Sequence, residues 1–353
     1  MTKGQEHKIR VLVVDDSALM SRQITNILNA DPGIEVVGRA KDGLEALGMV
    51  KDLAPDVVTM DVEMPRMNGI TALKHIMVKY SIPTVMISAL TKEGARTTFD
   101  ALKYGAIDVI AKPSRREDEN LDAQKSDIIS KVKRAAAIRT GRSRYIRMGR
   151  GLHLEQKTAK GRPDQSTRFI GIGAGTGGYY ALLRIIPALP SDFQDIMIAV
   201  ILVASKYIEP FVAYLDSHSS IPVLAARGAG VPEKGTCYVC SGEDRLVLEN
   251  NGDGKLKFGL LEPSPSEDQT GAIDVMLESL GAFAGRKSVG IIMSGAGRDG
   301  ANGLALLRQA GGIGVIQDIN NCVDPSMPLA ALEKGTVEKV LPDYRIAEFI
   351  MRP

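Results

Sequence analysis

From Ile9 onward, short and almost wholly apolar runs alternate with longer amphipathic stretches, and no other feature of the chain restricts its fold as much. The runs are Ile9 to Val14, Glu35 to Ala40, Val57 to Met60, Thr84 to Ile87 and Asp108 to Ala111. Segments this short that offer apolar side chains to both faces read as strands covered on both sides, the pattern of a parallel sheet. Between the first two, Ser17 is placed to cap a helix whose apolar positions Leu19, Met20, Ile24, Ile27 and Leu28 recur at helical spacing. Strand and helix in alternation predict a parallel sheet with helices on both faces. Such sheets gather their chemistry at the carboxyl ends of the strands.

Those ends carry polar residues. Asp15 and Asp16 close the first run, Asp61 follows the third, Ser88 the fourth, and Lys112 with Pro113 the fifth. Singly, each has a bland role as a helix cap, strand end or turn residue. Three carboxylates drawn together, however, repel one another unless a hard divalent cation lies among them, and Mg2+ suits an all-oxygen ligand set. A carboxylate beside such a cation is able to accept a phosphoryl group.

The stretches Val13-Val14-Asp15-Asp16-Ser17, Met60-Asp61-Val62-Glu63-Met64-Pro65-Arg66-Met67-Asn68-Gly69, Ser88-Ala89-Leu90-Thr91 and Lys112-Pro113 resemble the receiver domain of response regulators. The likeness covers residues 8–113 and implies a flavodoxin-like, five-stranded parallel sheet. It also implies that Asp61 is the phosphoacceptor and that Asp15, Asp16, Asp61 and the backbone of Glu63 hold Mg2+. Ser88 and Lys112 would contact the phosphoryl oxygens, and a sensor histidine kinase of chemotaxis type would supply the group. Val109 departs from the family, which usually has an aromatic switch residue there.

A chain of 353 residues exceeds one ordinary core and predicts two domains. After Pro113 the composition changes. Ser114 to Lys125 is polar and acidic, Ser126 to Ile138 carries Ile128, Ile129, Val132 and Ala135 to Ala137 at helical spacing, and from Arg139 the segment is basic. That pattern predicts a helix followed by a solvated tether. The expected division is a receiver over 1–113, a helix and basic linker over 114–167, and an effector domain over 168–353. The alternative for the linker arginines is docking on an acidic protein surface or on anionic lipid.

Beyond the linker, strands are expected at Arg168 to Gly173, Ile196 to Val203, Cys237 to Val239, Leu246 to Leu248, Ser288 to Met293 and Gly314 to Gln317, with a helix at Ala301 to Gln309. This predicts a doubly wound, mainly parallel α/β domain with some antiparallel hairpin between residues 237 and 260. The glycine-rich turn Ile172-Gly173-Ala174-Gly175-Thr176-Gly177-Gly178 lies between a strand and a helix, where such folds place reacting or phosphate-binding groups.

That turn, with Leu189-Pro190, Gly235-Thr236-Cys237-Tyr238-Val239, Ser294-Gly295-Ala296-Gly297-Arg298-Asp299-Gly300-Ala301, Gln317-Asp318 and Met327-Pro328, resembles the catalytic domain of chemotaxis receptor methylesterases. Those enzymes hydrolyse glutamyl methyl esters, and deamidate glutamines, on chemoreceptor cytoplasmic tails. By the resemblance the nucleophilic serine falls at Gly175 and the catalytic histidine at Ser205. The triad acid is kept as Asp299, Thr176 is a retained support, and Ala296 replaces a methionine near the oxyanion site. Ester hydrolysis through an acyl-enzyme needs a nucleophile, a base and oxyanion donors, and two of the three are missing.

The chain holds four histidines, His7, His75, His153 and His218, of which the first three lie in the receiver or linker. His218 reads as a residue at a helix end. The expectation is therefore a phosphorylation-controlled regulator whose effector domain binds and does not cut. One alternative is an active methylesterase and glutamine deamidase. A second is a nucleotide-binding effector, because Gly173, Gly175 and Gly178 form G-x-G-x-x-G between strand and helix.

A formal charge of +2 argues against a global nucleic-acid binder. No apolar run approaches the roughly 20 residues of a membrane span, and the N-terminus lacks a signal-peptide core, so a cytoplasmic location without membrane insertion is expected. Cys237, Cys240 and Cys322 suit a reducing compartment. The CxxC spacing of the first two falls on an expected strand, where residues three apart face opposite ways, against a metal or redox pair.

Overall fold

A computed structural model describes residues 8–88, 100–102, 104–112, 121–138, 167–179, 181–226, 230–250, 256–261 and 271–352. The chain forms two compact units, Met1–Gly151 and Leu152–Pro353. Ala89 to Thr91, Pro113, the basic stretch from Arg139, His7 and His153 lie outside the described residues.

In the first unit the strands are β1 (Ile9–Val14), β2 (Ile34–Ala40), β3 (Val57–Asp61), β4 (Thr84–Ser88) and β5 (Asp108–Ala111). They pair in the order β2-β1-β3-β4-β5, every pair parallel. All five expected strands are present, the second starting one residue earlier and the third and fourth running one further, to Asp61 and Ser88. The helices are α1 (Ala18–Asn29), α2 (Gly43–Leu53), α3 (Gly69–Lys79) and α4 (Leu121–Ala137).

Ser17 caps α1 as expected, its hydroxyl accepting from Met20 N at 3.3 Å. Asp15 Oδ1 in turn accepts from Ser17 N at 2.9 Å, which turns the chain at the end of β1. The helix expected at the head of the linker behaves differently. Helix α4 buries Ile128, Val132 and Ala135. Its Lys131 Nζ donates to Val109 O of β5 at 2.8 Å, and Lys133 pairs with Asp31 beyond α1. An apolar stripe on α4 finds its core in the receiver sheet, so this helix completes the first unit instead of opening a tether.

The second unit has a seven-stranded parallel sheet in the order β14-β13-β12-β6-β7-β9-β8. Its strands are β6 (Phe169–Ala174), β7 (Ile196–Ile201), β8 (Val223–Ala225), β9 (Cys237–Ser241), β12 (Ser288–Ile292), β13 (Ile313–Gln317) and β14 (Lys339–Leu341). A separate antiparallel hairpin joins β10 (Leu246–Asn250) to β11 (Leu256–Leu260). The hairpin is thus confined to residues 246–260, because β9 pairs parallel with both β7 and β8.

The helices here are α5 (Leu182–Ile185), α6 (Ile208–Asp216), α7 (Ala272–Ala284), α8 (Ala301–Gln309), α9 (Ser326–Glu333) and α10 (Asp343–Met351). The helical run expected after the glycine turn is short, ending at Ile185 and passing at once into a 3-10 turn over Ile186–Ala188 that contains Pro187. The core joins Ile273, Met276, Leu277 and Leu280 of α7 to Leu304 and Leu307 of α8, and to Ile198, Val200, Ile292 and Ile316 of the sheet.

Candidate functional site

In the first unit the ends of β1 and β3 bring Asp15, Asp16 and Asp61 together, with one oxygen of each within 4.8 Å of the others. Asp15 and Asp61 are buried, whereas Asp16 is exposed. Lys112, just past β5, places Nζ 2.6 Å from Asp61 Oδ2 and 3.6 Å from Asp15 Oδ2. Ser88 is buried at the end of β4, and its carbonyl accepts from Lys112 N at 2.9 Å. Val109 is buried beside it on β5.

The electrostatics are those of a site short of positive charge. Burial, partly offset by Lys112 and reinforced by Asp61, pushes the Asp15 carboxyl up to about 6. Burial also raises the Asp61 carboxyl, against Lys112 and the N–H groups of Val62 and Glu63, which donate to it. Lys112 is itself held protonated, since its bond to Asp61 and the nearby aspartates outweigh its burial. Asp15 Oδ2 is buried without a hydrogen-bond partner. One lysine against three carboxylates, with a buried Asp15 oxygen that accepts no hydrogen bond, fits a hard divalent cation with oxygen ligands.

The loop between β3 and α3 follows directly on Asp61. A Cβ on Gly69 would lie 1.9 Å from Asp61 O, so only glycine lets the loop close there. Arg66 within it has φ 61, a left-handed conformation that costs a non-glycine residue about 1 kcal/mol or more. It is held by the buried carboxylate of Asp42, which also caps α2. Nothing in the sequence pattern marks this pair, whose members are 24 residues apart.

In the second unit, residues 173–179 of the glycine turn are buried. Gly175 has no side chain, and its N–H donates to Ser294 O at 2.9 Å. The N–H groups of Gly178 and Tyr179 both return to Gly175 O. Ser294 Oγ lies 2.7 Å from Thr176 O, tying the turn to the end of β12. The N–H groups of Gly175, Gly178 and Tyr179 are therefore engaged within the protein, which leaves fewer donors for a pyrophosphate at Gly173, Gly175 and Gly178. The nucleotide reading also seeks a ribose acid at the end of the next strand, whereas Asp195 stands before the start of β7 and is paired with Arg168.

Ser205 begins the 3-10 turn after β7, and both its N–H and its hydroxyl donate to Glu243 Oε2, at 2.8 and 2.7 Å. His218 stacks on Tyr214 at 4.3 Å between ring centroids, with Nδ1 2.8 Å from Tyr214 O at the end of α6. Cys237 and Cys240 are buried on β9, and burial pushes both thiols up.

Asp299 has another use. Its Oδ1 accepts from Asp274 N at 2.9 Å and its Oδ2 from Ile273 N at 3.2 Å, so the carboxylate caps α7. Asp274 of α7 reciprocates by accepting from Gly303 N of α8 at 2.7 Å. As a cap, Asp299→Ala is expected to lower the stability of this unit by about 1–2 kcal/mol in thermal denaturation. An unchanged melting temperature would remove the capping account.

Residues 11–123 match the family model described as a response regulator receiver domain, and residues 170–350 match the one described as CheB methylesterase. The chain belongs to the CheB methylesterase family. A protein-glutamate methylesterase/protein-glutamine glutaminase of Pyrococcus abyssi is 42% identical over 98% of this chain and 93% of its own length. One of the same name from Symbiobacterium thermophilum is 37% identical over 100% of this chain and 99% of its own. The solved catalytic domain of Thermotoga maritima CheB methylesterase is 28% identical, with a TM-score of 0.49, covering 53% of this chain and 98% of that one. Among the described residues no helix is long and apolar enough to cross a membrane.

Proposed function

We propose that this chain is a chemotaxis-type response regulator phosphorylated on Asp61, whose methylesterase-fold domain binds chemoreceptor tails without hydrolysing them. In the receiver, a carboxylate oxygen of Asp61 forms a bond to phosphorus while the phosphorus–nitrogen bond of a kinase phosphohistidine breaks. Asp15, Asp16, Asp61 and the backbone of Glu63 would hold Mg2+, which when bound would offset the charge of the phosphoryl oxygens. Lys112 already reaches Asp61 and would meet one of those oxygens, with Ser88 at the end of the neighbouring strand meeting another.

The observation that carries the effector half is the pairing of Gly175, which has no side chain, with Ser205, whose hydroxyl is spent on Glu243. No described histidine stands ready to act as base, since His218 is stacked on Tyr214 and His75 is exposed on α3. A second reading, active ester hydrolysis and glutamine deamidation, has its own support. Relatives matching nearly the whole chain carry the methylesterase/glutaminase name.

Incubation with acetyl phosphate and Mg2+, followed by peptide mapping, tests the receiver half. The label is expected on Asp61 and absent from Asp61→Asn. Label of equal yield in the variant would overturn the assignment. Methanol release, argued below, decides between binding and hydrolysis.

A further inference from the structure

We propose that Asp42 is a positioning residue for phosphoryl transfer, acting through Arg66 to hold the β3–α3 loop against Asp61. The inference rests on Asp61 being the acceptor. Asp42 stands just before α2 with its side chain 1% exposed. Its Oδ1 accepts from Leu44 N at 2.9 Å and Glu45 N at 3.1 Å, which is ordinary helix capping and needs no charge. Its Oδ2 is used elsewhere, accepting from Nε of Arg66 at 2.7 Å and from Nη2 of the same guanidinium.

Burial alone would raise this carboxyl. Bonds from Glu45 N, the Arg66 guanidinium and Leu44 N hold it below the usual carboxylate range instead, so the pair stays charged at neutral pH.

The loop geometry gives the pair its reach. A residue with a side chain keeps a left-handed conformation only where its surroundings fix it, and at Arg66 the fixing group is Asp42. A second tie runs alongside, from Gly43 N to Met67 O at 3.1 Å. The base of the loop is closed by Gly69 N on Val62 O at 3.0 Å. Held at its tip and at its base, the loop directs the N–H groups of Val62 and Glu63 onto the Asp61 carboxylate. A shift at Arg66 is thus passed along a short, closed segment to the groups that orient the nucleophile.

A cap alone and a positioning pair are separable, because asparagine caps helices as well as aspartate does but cannot pair with a guanidinium as a charge. In the full-length chain, Asp42→Asn is expected to speed amide exchange over residues 62–68 in the absence of Mg2+. With saturating Mg2+ and acetyl phosphate, its rate of label uptake should fall about ten- to a hundredfold. Arg66→Gln changes a half-exposed side chain and should show the same two effects should Asp42→Asn fold poorly, while Arg66→Lys, keeping the charge, should recover part of the rate.

Uptake and loop exchange equal to wild type in both Asp42→Asn and Arg66→Gln would overturn the proposal. So would slower uptake with unchanged exchange, since the effect would then bypass the loop. Failure of the wild-type chain itself to take label on Asp61 would overturn the acceptor assignment instead, and is distinguished by the Asp61→Asn control.

Discussion

In an assay of methanol release from methylated chemoreceptor membranes, this chain is expected to work at less than about 10⁻⁴ of the rate of a relative that keeps the serine and histidine. Losing the nucleophile or the base of a comparable triad costs about 10⁴ to 10⁶ in rate. On the proposed reading both Gly175 and Ser205 lack the required chemistry, and the space around Gly175 is already taken. A Cβ at Gly175 would fall 2.8 Å from Gly295 Cα, nearer than real Cβ contacts come, with Met327 Sδ at 3.4 Å on another side.

Gly295 has little freedom to withdraw. Its N–H donates to Asp324 O at 2.9 Å and its carbonyl accepts from Met327 N at 3.0 Å. Gly175→Ser with Ser205→His is therefore expected to leave hydrolysis absent while destabilising the second unit by about 1–3 kcal/mol through overpacking. Release by the wild-type chain at the rate of such a relative would make hydrolysis the function and retire the binding reading.

Sequence and structure agree most closely where local pattern is enough. Four of the five receiver strands are apolar runs with a polar residue at or just past the end, so burial and the site at the strand ends are written in the same few positions; β2, with Glu35 and Arg39 exposed, is the exception. The second sheet was harder to read at its margins. The edge strands β8 and β14 have three residues each, too few to show a period, and β14 exposes Lys339 and Val340. Sequence places β9 with the hairpin because strand direction leaves no mark on composition; its parallel pairing comes from the connection through α6 and β8.

Helix α4 shows a further limit. Its stripe of Ile128, Val132 and Ala135 was visible, but the surface that receives it lies on distant strands. At the sites, residue identity was legible and hydrogen bonding was not. Asp299 stands out as an acid inside a family motif, yet nothing in the sequence marks its carboxylate on the end of α7. Arg66 sat in full view inside a recognised motif, with its partner Asp42 outside it.

Mg2+ is expected to stabilise the receiver at pH 7.5 and only about half as much at pH 5, with Asp15 setting the dependence. Its carboxyl rises from 3.8 to about 6 in the folded, metal-free chain. A carboxyl that binds its proton more tightly when folded contributes stability below the unfolded pKa and loses it as pH rises through the folded one. The metal-free receiver should thus lose on the order of 2–3 kcal/mol from this group between pH 4 and pH 7.

A cation among Asp15, Asp16 and Asp61 reverses that loss, adding about 2.7 kcal/mol at a hundredfold excess over its dissociation constant. Below pH 6 the proton competes for the same oxygens, so affinity should fall about tenfold per pH unit. Asp15→Asn removes the buried charge. It should raise the metal-free melting temperature at pH 7.5 and abolish the response to Mg2+. Calorimetric melting with and without Mg2+ at the two pH values measures all of this. A shift of equal size at pH 5 and pH 7.5, or a variant that still responds like wild type, would mean that Asp15 does not bind the cation.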